Sequence, residues 1–161
     1  MVNLVIMRHG DAEPQSSQDS QRQLTAKGRA DVTLMAQWAA TNYLPFDYIL
    51  HSPFVRTQQT AELMRLAQLT TPITETLAEL VPEGDCNQVQ LYIDVLLQQK
   101  PDARILLVSH MPLVSFLVET FGCVGQTPIF ETSALVSLHY EVGTCGAILE
   151  RMTVSDLPRI A

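Results

Sequence analysis

Two apolar stretches of this sequence each end in a histidine, and they constrain the fold more than any other feature. Residues 2–7 (VNLVIM) are followed by the triplet RHG, whose histidine is His9, and residues 104–109 (RILLVS) are followed by His110. Both stretches are short and aliphatic without polar alternation, which is typical of central parallel strands buried on both faces. Because sites in such sheets lie beyond the carboxyl ends of the strands, we expect both histidines at one edge of a sheet.

The rest of the chain alternates between helical and extended patterns. After Thr25, which is a typical helix N-cap, apolar residues recur at helical spacing up to about Thr41. The alternation predicts an α/β fold, a three-layer α/β/α sandwich around a mostly parallel central sheet, as one domain over residues 1–161. The predicted strands are 2–7, 46–50, 72–77, 104–109, 134–140 and 147–152, and the predicted helices are 25–41, 53–67, 87–99 and 112–122.

Two helix boundaries give specific predictions. Ser52 precedes Pro53, and a serine can cap a helix that begins with proline, because the first N–H of a helix has no partner within it. Gly122 follows the apolar stretch LVSFLVETF and is expected to close that helix, since glycine readily adopts a left-handed backbone conformation. The first of these helices would place Ser52 and Arg56 at the same sheet edge as His9.

The residues expected at this edge have a consistent charge pattern. Arg8 and Arg56 are cationic, Ser52 offers a hydroxyl group, and a helix N-terminus adds partial positive charge. Guanidinium groups bind the oxygens of phosphoryl groups with paired hydrogen bonds. Together with two imidazoles, these residues predict a site for a phosphoryl group, which would also bind a phosphate or sulfate ion.

The two histidines need different roles at such a site. An imidazole must be neutral to attack phosphorus, and nearby guanidinium groups disfavour its protonation, so the two arginines would keep His9 nucleophilic. Gly10 would leave room for the backbone to approach the anion. His110 would donate a hydrogen bond or charge to the phosphoryl oxygens as they gain charge during transfer.

Composition argues against several classes of partner. With 10 basic and 17 acidic residues, the chain has a formal net charge of −7, which repels nucleic acid. The first apolar stretch is too short for a membrane span or a signal peptide, so no membrane contact is expected. The cysteines Cys86, Cys123 and Cys145 are single and odd in number, which fits neither a zinc site nor a disulfide framework and predicts a cytoplasmic protein.

Four motifs together resemble those of the histidine phosphatase superfamily, which includes the phosphoglycerate mutases. In chain order they are RHG at 8–10, LTAKG at 24–28, SPFVRTQQTA at 52–61 and VSH at 108–110. The resemblance implies a phosphoglycerate mutase-like fold in which His9 is transiently phosphorylated. It implies that Arg8, Arg56 and His110 hold the phosphoryl group, and that neither a metal nor a cofactor takes part.

The stretch between Arg56 and His110 is short. The end of one helix, one strand and one complete helix use most of it, which leaves no space for the helical cap that many superfamily members insert there. The resulting open site suits a phosphorylated side chain presented by another protein. The length and the stretches RHGDA, LAELVPEGD and HMPLV resemble the phosphohistidine phosphatases of the superfamily. This implies a hydrolase that acts on a phosphohistidine-bearing carrier, either a histidine phosphotransfer (HPt) domain or a phosphotransferase-system protein.

Three features of the predicted site leave alternatives open. Glu79, within TLAELVPEGD, is either the counterpart of the acidic proton donor of other members or a solvated loop residue. Ser52 is either a helix cap alone or also a contact to the phosphate. The loop 13–23 (EPQSSQDSQRQ) is either a solvated connection or a mobile flap that contacts the partner.

Two other functions remain compatible with the same motifs. One is a phosphatase or mutase for small metabolites, because the core residues would be the same. The other is a non-catalytic module that binds phosphorylated proteins, because the site is open and its acid is not assigned.

Overall fold

A computed structural model describes residues 1–14, 18–125 and 128–158. Within these residues, six strands and four helices follow one another in the predicted order. None of the helices in these ranges is long and apolar enough to span a bilayer. Short 3-10 turns lie in the connections at Asp19–Gln21, Ala78–Leu80 and Val154–Asp156. The strands are β1 (Leu4–Arg8), β2 (Tyr48–His51), β3 (Ile73–Thr76), β4 (Ile105–Ser109), β5 (Leu135–His139) and β6 (Ala147–Met152), and the helices are α1 (Ala26–Asn42), α2 (Val55–Leu66), α3 (Cys86–Gln99) and α4 (Leu113–Gly122).

All six strands form one sheet in the order β3-β2-β4-β1-β5-β6. The first four strands run parallel, whereas β5 and β6 are each antiparallel to their neighbours, so the mostly parallel sheet is confirmed. β1 and β4 are the central strands, and Arg8 lies opposite Ser109 in their register. The next residue of each strand is a histidine, so the chain leaves the sheet at His9 and His110 side by side.

Helices cover both faces of the sheet. Leu4 and Ile6 of β1 pack on the side of α3 and α4, and Val5 and Met7 pack on the side of α1 and α2. All four side chains are at most 1 % exposed, which explains why the sequence of β1 has no polar alternation. The fold is therefore the predicted three-layer α/β/α sandwich.

The predicted lack of a helical cap concerns the chain between α2 and β4. Every residue of this stretch is described, and it forms β3, the turn Ala78–Leu80 and α3. α3 packs on the sheet through Val89, Ile93 and Leu97 and belongs to the sandwich itself. The stretch thus adds no helix that closes over the sheet edge.

Both predictions about helix ends are wrong. α2 begins at Val55 with Phe54 as its N-cap residue, so Ser52 lies before the helix and does not cap it. The backbone at Phe54 is extended, which delays the first turn, and the Phe54 N–H donates to the Ser52 hydroxyl at 3.1 Å. At the end of α4, Gly122 is still helical, and Cys123 takes the left-handed conformation with a φ of 54°.

Cys123 is also one half of a disulfide with Cys145, contrary to the expectation of unpaired cysteines. The end of α4 lies beside the turn between β5 and β6, which brings the two Cα atoms within 5.3 Å although the residues are 22 apart in sequence. Cys86 remains a free thiol. Spacing along the chain could not reveal this pair, because the fold creates the proximity.

Packing, not an anion, explains the glycine after His9. A Cβ atom at Gly10 would lie 2.7 Å from the Cγ2 atom of Val32 and 3.1 Å from the Gly28 carbonyl oxygen. A Cβ atom at Gly28 would lie only 2.1 Å from the Asp11 carbonyl oxygen. The two glycines let the chain after β1 pass closely over the start of α1. The predicted reason for Gly10 is therefore corrected: it fixes the path of the chain at His9.

Candidate active site

The candidate site lies where β1 and β4 end. The ring centroids of His9 and His110 are 5.2 Å apart, with an angle of 64° between the ring planes. Only 6 % of His9 and 1 % of His110 is exposed. The chain after β2 adds the buried side chains of Ser52 and Arg56, so the structure brings these predicted residues together at one edge.

Hydrogen bonds define which nitrogen of His9 can react. Its Nδ1 atom lies 2.7 Å from the Gly10 carbonyl oxygen. A carbonyl oxygen only accepts, so Nδ1 carries the proton and Nε2 keeps its lone pair. The Nε–H group of Arg56 donates to this Nε2 atom at 3.3 Å. The site therefore presents an unprotonated Nε2 beside a guanidinium group, which is the arrangement that a nucleophilic histidine needs.

Arg56 is held from three sides. Its Nη1–H group donates to the Asp19 backbone carbonyl at 2.8 Å, and its Nη2 atom lies 3.2 Å from the Asp19 carboxylate. The guanidinium carbon lies 5.1 Å from the centre of the Phe54 ring. These contacts fix the orientation of a cation that is only 3 % exposed.

Arg8 and His110 contribute buried donors that lack partners. Arg8 Nη1–H donates to the Phe130 carbonyl at 2.8 Å, which anchors one end of the guanidinium group. Within the described residues, Arg8 Nε and His110 Nδ1 are buried nitrogens without a hydrogen-bond partner. Buried polar groups normally have partners, and an oxyanion between the two histidines would supply them. The donor set therefore fits a phosphoryl group.

Ser52 lies within hydrogen-bonding distance of His110. The Ser52 hydroxyl oxygen already accepts from the Phe54 N–H, and it lies 2.8 Å from His110 Nε2. When the hydroxyl hydrogen is donated to Nε2, the imidazole proton is on Nδ1. His110 then offers a neutral Nδ1–H donor to an anion. In this geometry Ser52 contacts His110 and does not cap the helix, and its predicted contact to the phosphate stays a prediction.

Comparisons with known proteins agree with this geometry. The family described as Histidine phosphatase superfamily (branch 1) matches residues 4–83. Phosphohistidine phosphatase SixA of Escherichia coli (strain K12) is 36% identical over 157 residues, which is 97% of this chain and 96% of that protein. The chain belongs to the histidine phosphatase superfamily.

Two further relatives extend the likeness within the superfamily. A phosphohistidine phosphatase SixA homolog of Haemophilus influenzae is 34% identical over 130 residues, covering 75% of this chain and 78% of that protein. A solved structure of the protein histidine phosphatase SixA complexed with tungstate has a TM-score of 0.90 and 34% identity, covering 96% of this chain and 99% of that one. The resemblance read from four sequence motifs is thus confirmed.

Burial is the main reason that both histidines of this superfamily member are neutral. Loss of hydration is the largest cause that lowers the pKa of His9 to about 4, and the charges of Arg56, Arg8 and Arg22 act in the same direction. Burial likewise lowers the pKa of His110 to about 2. The sequence argument named the guanidinium charges as the cause, but the structure makes them secondary to the loss of water.

Glu79 lies in the 3-10 turn that packs beside the end of β4. The Ser109 hydroxyl donates to the carbonyl of the neighbouring Leu80 at 2.6 Å, which ties this turn to the strand that precedes His110. The Glu79 carboxylate accepts a hydrogen bond from the Asp85 N–H at 3.0 Å. This contact directs the carboxylate along its own loop, so a role as proton donor requires it to turn toward the substrate.

Sequence reasoning missed the charged pair that closes one side of the site. Asp19 contacts Arg56 as described and also Arg22, whose Nε–H donates to the Asp19 carboxylate at 2.8 Å. Both belong to the loop 13–23, so its described part contacts the site; residues 15–17 of the predicted flap lie outside the described residues. The sequence could have indicated this pair, because Asp19 and Arg22 are charged residues in a loop of mostly neutral polar residues.

A second missed contact lies behind His9. Ser133 has a left-handed φ of 65°, and its N–H donates to the His9 carbonyl at 3.0 Å. Its side chain is fully buried. The sequence placed this residue just before a strand and gave no sign of a contact 124 residues away, because such a pairing depends on the antiparallel addition of β5 next to β1.

Proposed function

We propose that this protein is a protein-phosphohistidine phosphatase that hydrolyses phosphohistidine on a carrier protein through a phospho-His9 intermediate. The hydrogen bond from His9 Nδ1–H to the Gly10 carbonyl carries the proposal, because it leaves Nε2 unprotonated in a cationic site. The Arg56 Nε–H group that donates to Nε2 would move to a phosphoryl oxygen when the substrate binds. The 36% identity to a phosphohistidine phosphatase over nearly the whole chain supports phosphohistidine as the substrate class.

In the first step, His9 Nε2 attacks phosphorus, and a new P–N bond forms while the bond to the substrate imidazole breaks. The leaving imidazole takes the bonding electron pair and departs neutral if its other nitrogen already carries a proton. Arg8 and Arg56 bind the phosphoryl oxygens, and the Nδ1–H group of His110 donates to an oxygen that gains charge. The orphaned Arg8 Nε and His110 Nδ1 atoms support these two roles.

In the second step, water attacks the phosphorus of phospho-His9. The P–Nε2 bond breaks, its electron pair returns to Nε2, and the water oxygen with both hydrogens leaves as part of inorganic phosphate. His9 regains the neutral state that its burial favours. The tungstate bound to the SixA structure supports the expectation that this fold accommodates a phosphate-like oxyanion.

Glu79 is proposed as an auxiliary acid. An alkyl phosphate releases a poor alkoxide and needs a proton donor, whereas phosphohistidine releases imidazole and needs it less. Replacing Glu79 with Gln should therefore slow hydrolysis of an alkyl phosphate by about tenfold more than hydrolysis of a phosphohistidine carrier. Equal effects on both substrates, measured as kcat/KM, would remove Glu79 from the mechanism.

The decisive experiment compares substrate classes. Phosphate release is measured from a phosphorylated HPt domain, from a phosphorylated phosphotransferase-system protein, and from a panel of sugar and glycerate phosphates. The proposal expects the highest kcat/KM for one of the two protein carriers. Faster turnover of a metabolite would make the protein a small-molecule phosphatase or mutase. Binding of a phosphoprotein without turnover would make it a binding module.

A cytoplasmic location is part of the proposal. It follows the expectation from the sequence, whereas the Cys123–Cys145 disulfide is of a kind that is rare in that compartment. Cell fractionation of the native protein tests it. Recovery in the cytoplasmic fraction is the expected result, and recovery outside that fraction would contradict the proposed location.

A further inference from the structure

Apolar side chains border the site on the side of α4. Ser115 is buried in the first turn of α4, donates its hydroxyl to the Pro128 carbonyl, and lies 3.1 Å from the Sδ atom of Met111. It therefore joins the chain after His110 to the segment at 128–130. The apolar rim is the name used below for Met111 and two exposed neighbours of these contacts, Phe116 and Ile129.

The exposure of this rim is high for residues of its type. Ile129 is 87 % exposed and Phe116 is 45 % exposed, while Met111 is partly buried. Single exposed apolar residues are common on protein surfaces, but here the hydrogen bond from Ser115 to Pro128 brings the chain neighbours of Phe116 and Ile129 together. Covering such side chains removes apolar surface from water, which favours association.

The rim is continuous with the phosphoryl site. Met111 directly follows His110, and the carbonyl of Phe130, next to Ile129, accepts the hydrogen bond from Arg8 Nη1 at 2.8 Å. Two of the three residues proposed to bind the phosphoryl group are therefore linked to the rim: His110 is the chain neighbour of Met111, and Arg8 bonds to the chain neighbour of Ile129. A macromolecule whose phosphohistidine reaches His9 must cover the surface around these residues.

We propose that the apolar rim is the docking surface for the carrier protein, and that it receives aliphatic or aromatic side chains next to the phosphohistidine. This inference rests on the proposed function and deepens it. A sugar or glycerate phosphate presents hydroxyl and carboxylate groups, which gain nothing from Phe116 and Ile129. A folded carrier domain with apolar residues beside its phosphohistidine gains burial there, while the arginines orient the phosphoryl group.

The chain offers a matched control at the opposite edge of the sheet. Leu69 is 98 % exposed and lies between α2 and β3, before the amino end of a parallel strand. It resembles Ile129 in size, exposure and position in a loop, but it lies away from the carboxyl ends of β1 and β4. A charge placed at Leu69 tests the general effect of an added carboxylate on the enzyme.

The experiment measures kcat/KM for two substrates, a phosphorylated HPt domain and the small molecule phosphoimidazole, in wild type and in I129D, F116D and L69D. We expect the ratio of carrier to phosphoimidazole kcat/KM to fall at least fivefold in I129D and F116D, mainly through KM for the carrier. The ratio should stay within twofold of wild type in L69D. Because both rates come from the same sample, partial unfolding cancels in the ratio.

The remaining outcomes separate failure of the inference from failure of the proposed function. If the wild-type protein hydrolyses the carrier and the ratio in I129D and F116D equals that of L69D, the docking surface is wrong while the function stands. If wild type does not hydrolyse any phosphohistidine carrier, the proposed function itself fails. Sedimentation of the wild type as a dimer that I129D converts to monomer would assign the rim to a second copy of the chain and overturn the proposal.

Discussion

The site combines a floor and walls that differ in how they are held. The floor is made of His9 and His110 at the ends of β1 and β4, and the walls are the segments 18–24 and 128–134. Backbone pairing fixes the floor, since the His9 N–H donates to the Ser109 carbonyl at 3.0 Å as a continuation of the sheet. The walls have some backbone hydrogen bonds, such as Ser133 N–H to the His9 carbonyl, but they reach the arginines through individual contacts, such as Asp19 to Arg56 and the Phe130 carbonyl to Arg8. Regular pairing makes a rigid base for chemistry, whereas single contacts adjust charge and access.

The largest expected effect comes from removing the floor nucleophile. His9→Ala should lower kcat for a phosphohistidine carrier by about 10⁴-fold or more, because it removes the imidazole that accepts the phosphoryl group in the proposed route. Acid-labile phosphate should be trapped on the wild-type enzyme by rapid quenching and be lost in the variant. A His9→Ala protein with wild-type turnover would contradict the phospho-His9 route and the division into floor and walls.

A smaller effect is expected where the floor is positioned by Ser52. Ser52→Ala removes the hydrogen bond to His110 Nε2 and should lower kcat by about tenfold to a hundredfold, while Ser52→Thr should retain most activity. The decisive readout is the ¹⁵N chemical shift of the His110 ring, which should report a proton on Nδ1 in wild type. An unchanged tautomer in Ser52→Ala would show that Ser52 serves packing alone.

Burial of the floor predicts a pH dependence of stability. The pKa of His9 is lowered to about 4 and that of His110 to about 2, so the unfolded chain, with ordinary values near 6.5, binds more protons below that pH. The free energy of unfolding therefore rises with pH, and each histidine costs up to about 1.4 kcal/mol per pH unit as the pH falls from 6.5 to 4.

Chemical denaturation at several pH values measures this slope. Replacing His110 with Asn should flatten the slope between pH 6.5 and 4, because one imidazole that must stay neutral is removed. Replacing the partly exposed His139 with Asn is the matched control for the exchange of a histidine for an asparagine. Equal slopes in the wild type and in the His110→Asn protein would contradict the burial argument.

The smallest expected effect belongs to the walls. Asp19→Asn keeps the size of the side chain and the backbone contact to Arg56 but removes the negative charge beside the guanidinium group. A partly exposed ion pair contributes little, so kcat/KM for the carrier should fall only about threefold to tenfold. A loss as large as that of His9→Ala would show that Asp19 is as important for catalysis as the floor residues, and it would contradict the distinction between floor and walls.

The sequence predicted the floor of the site better than its walls. The apolar stretches before His9 and His110 predicted two central parallel strands, and the sheet edge that they share followed from that pattern. Thr25 was correctly identified as an N-cap, and its hydroxyl accepts from the Gly28 N–H at 3.0 Å. These features depend on a few neighbouring residues, which is why they can be read without coordinates.

The predictions at Ser52, Gly10 and the cysteines failed for a common reason. Ser52 bonds to a histidine 58 positions away, and the space at Gly10 is filled by Val32 and Gly28 of the next helix. The pairing of Cys123 with Cys145 likewise requires α4 to end beside a distant turn. The sequence pointed to these residues, but the tertiary fold determines which distant residues they contact.

The sequence by itself determined the alternation of strands and helices, the family to which the chain belongs, and the edge where the histidines and arginines meet. Only the tertiary structure decided which nitrogen of His9 is unprotonated, that burial outweighs charge in keeping the ring neutral, and that Asp19 and Phe130 hold the two arginines. The periodicity of apolar residues depends on residues close together in the chain, so it can be identified in the sequence. Hydrogen-bond partners and exclusion of water arise only when distant segments pack together, and they give the reactive group its chemistry.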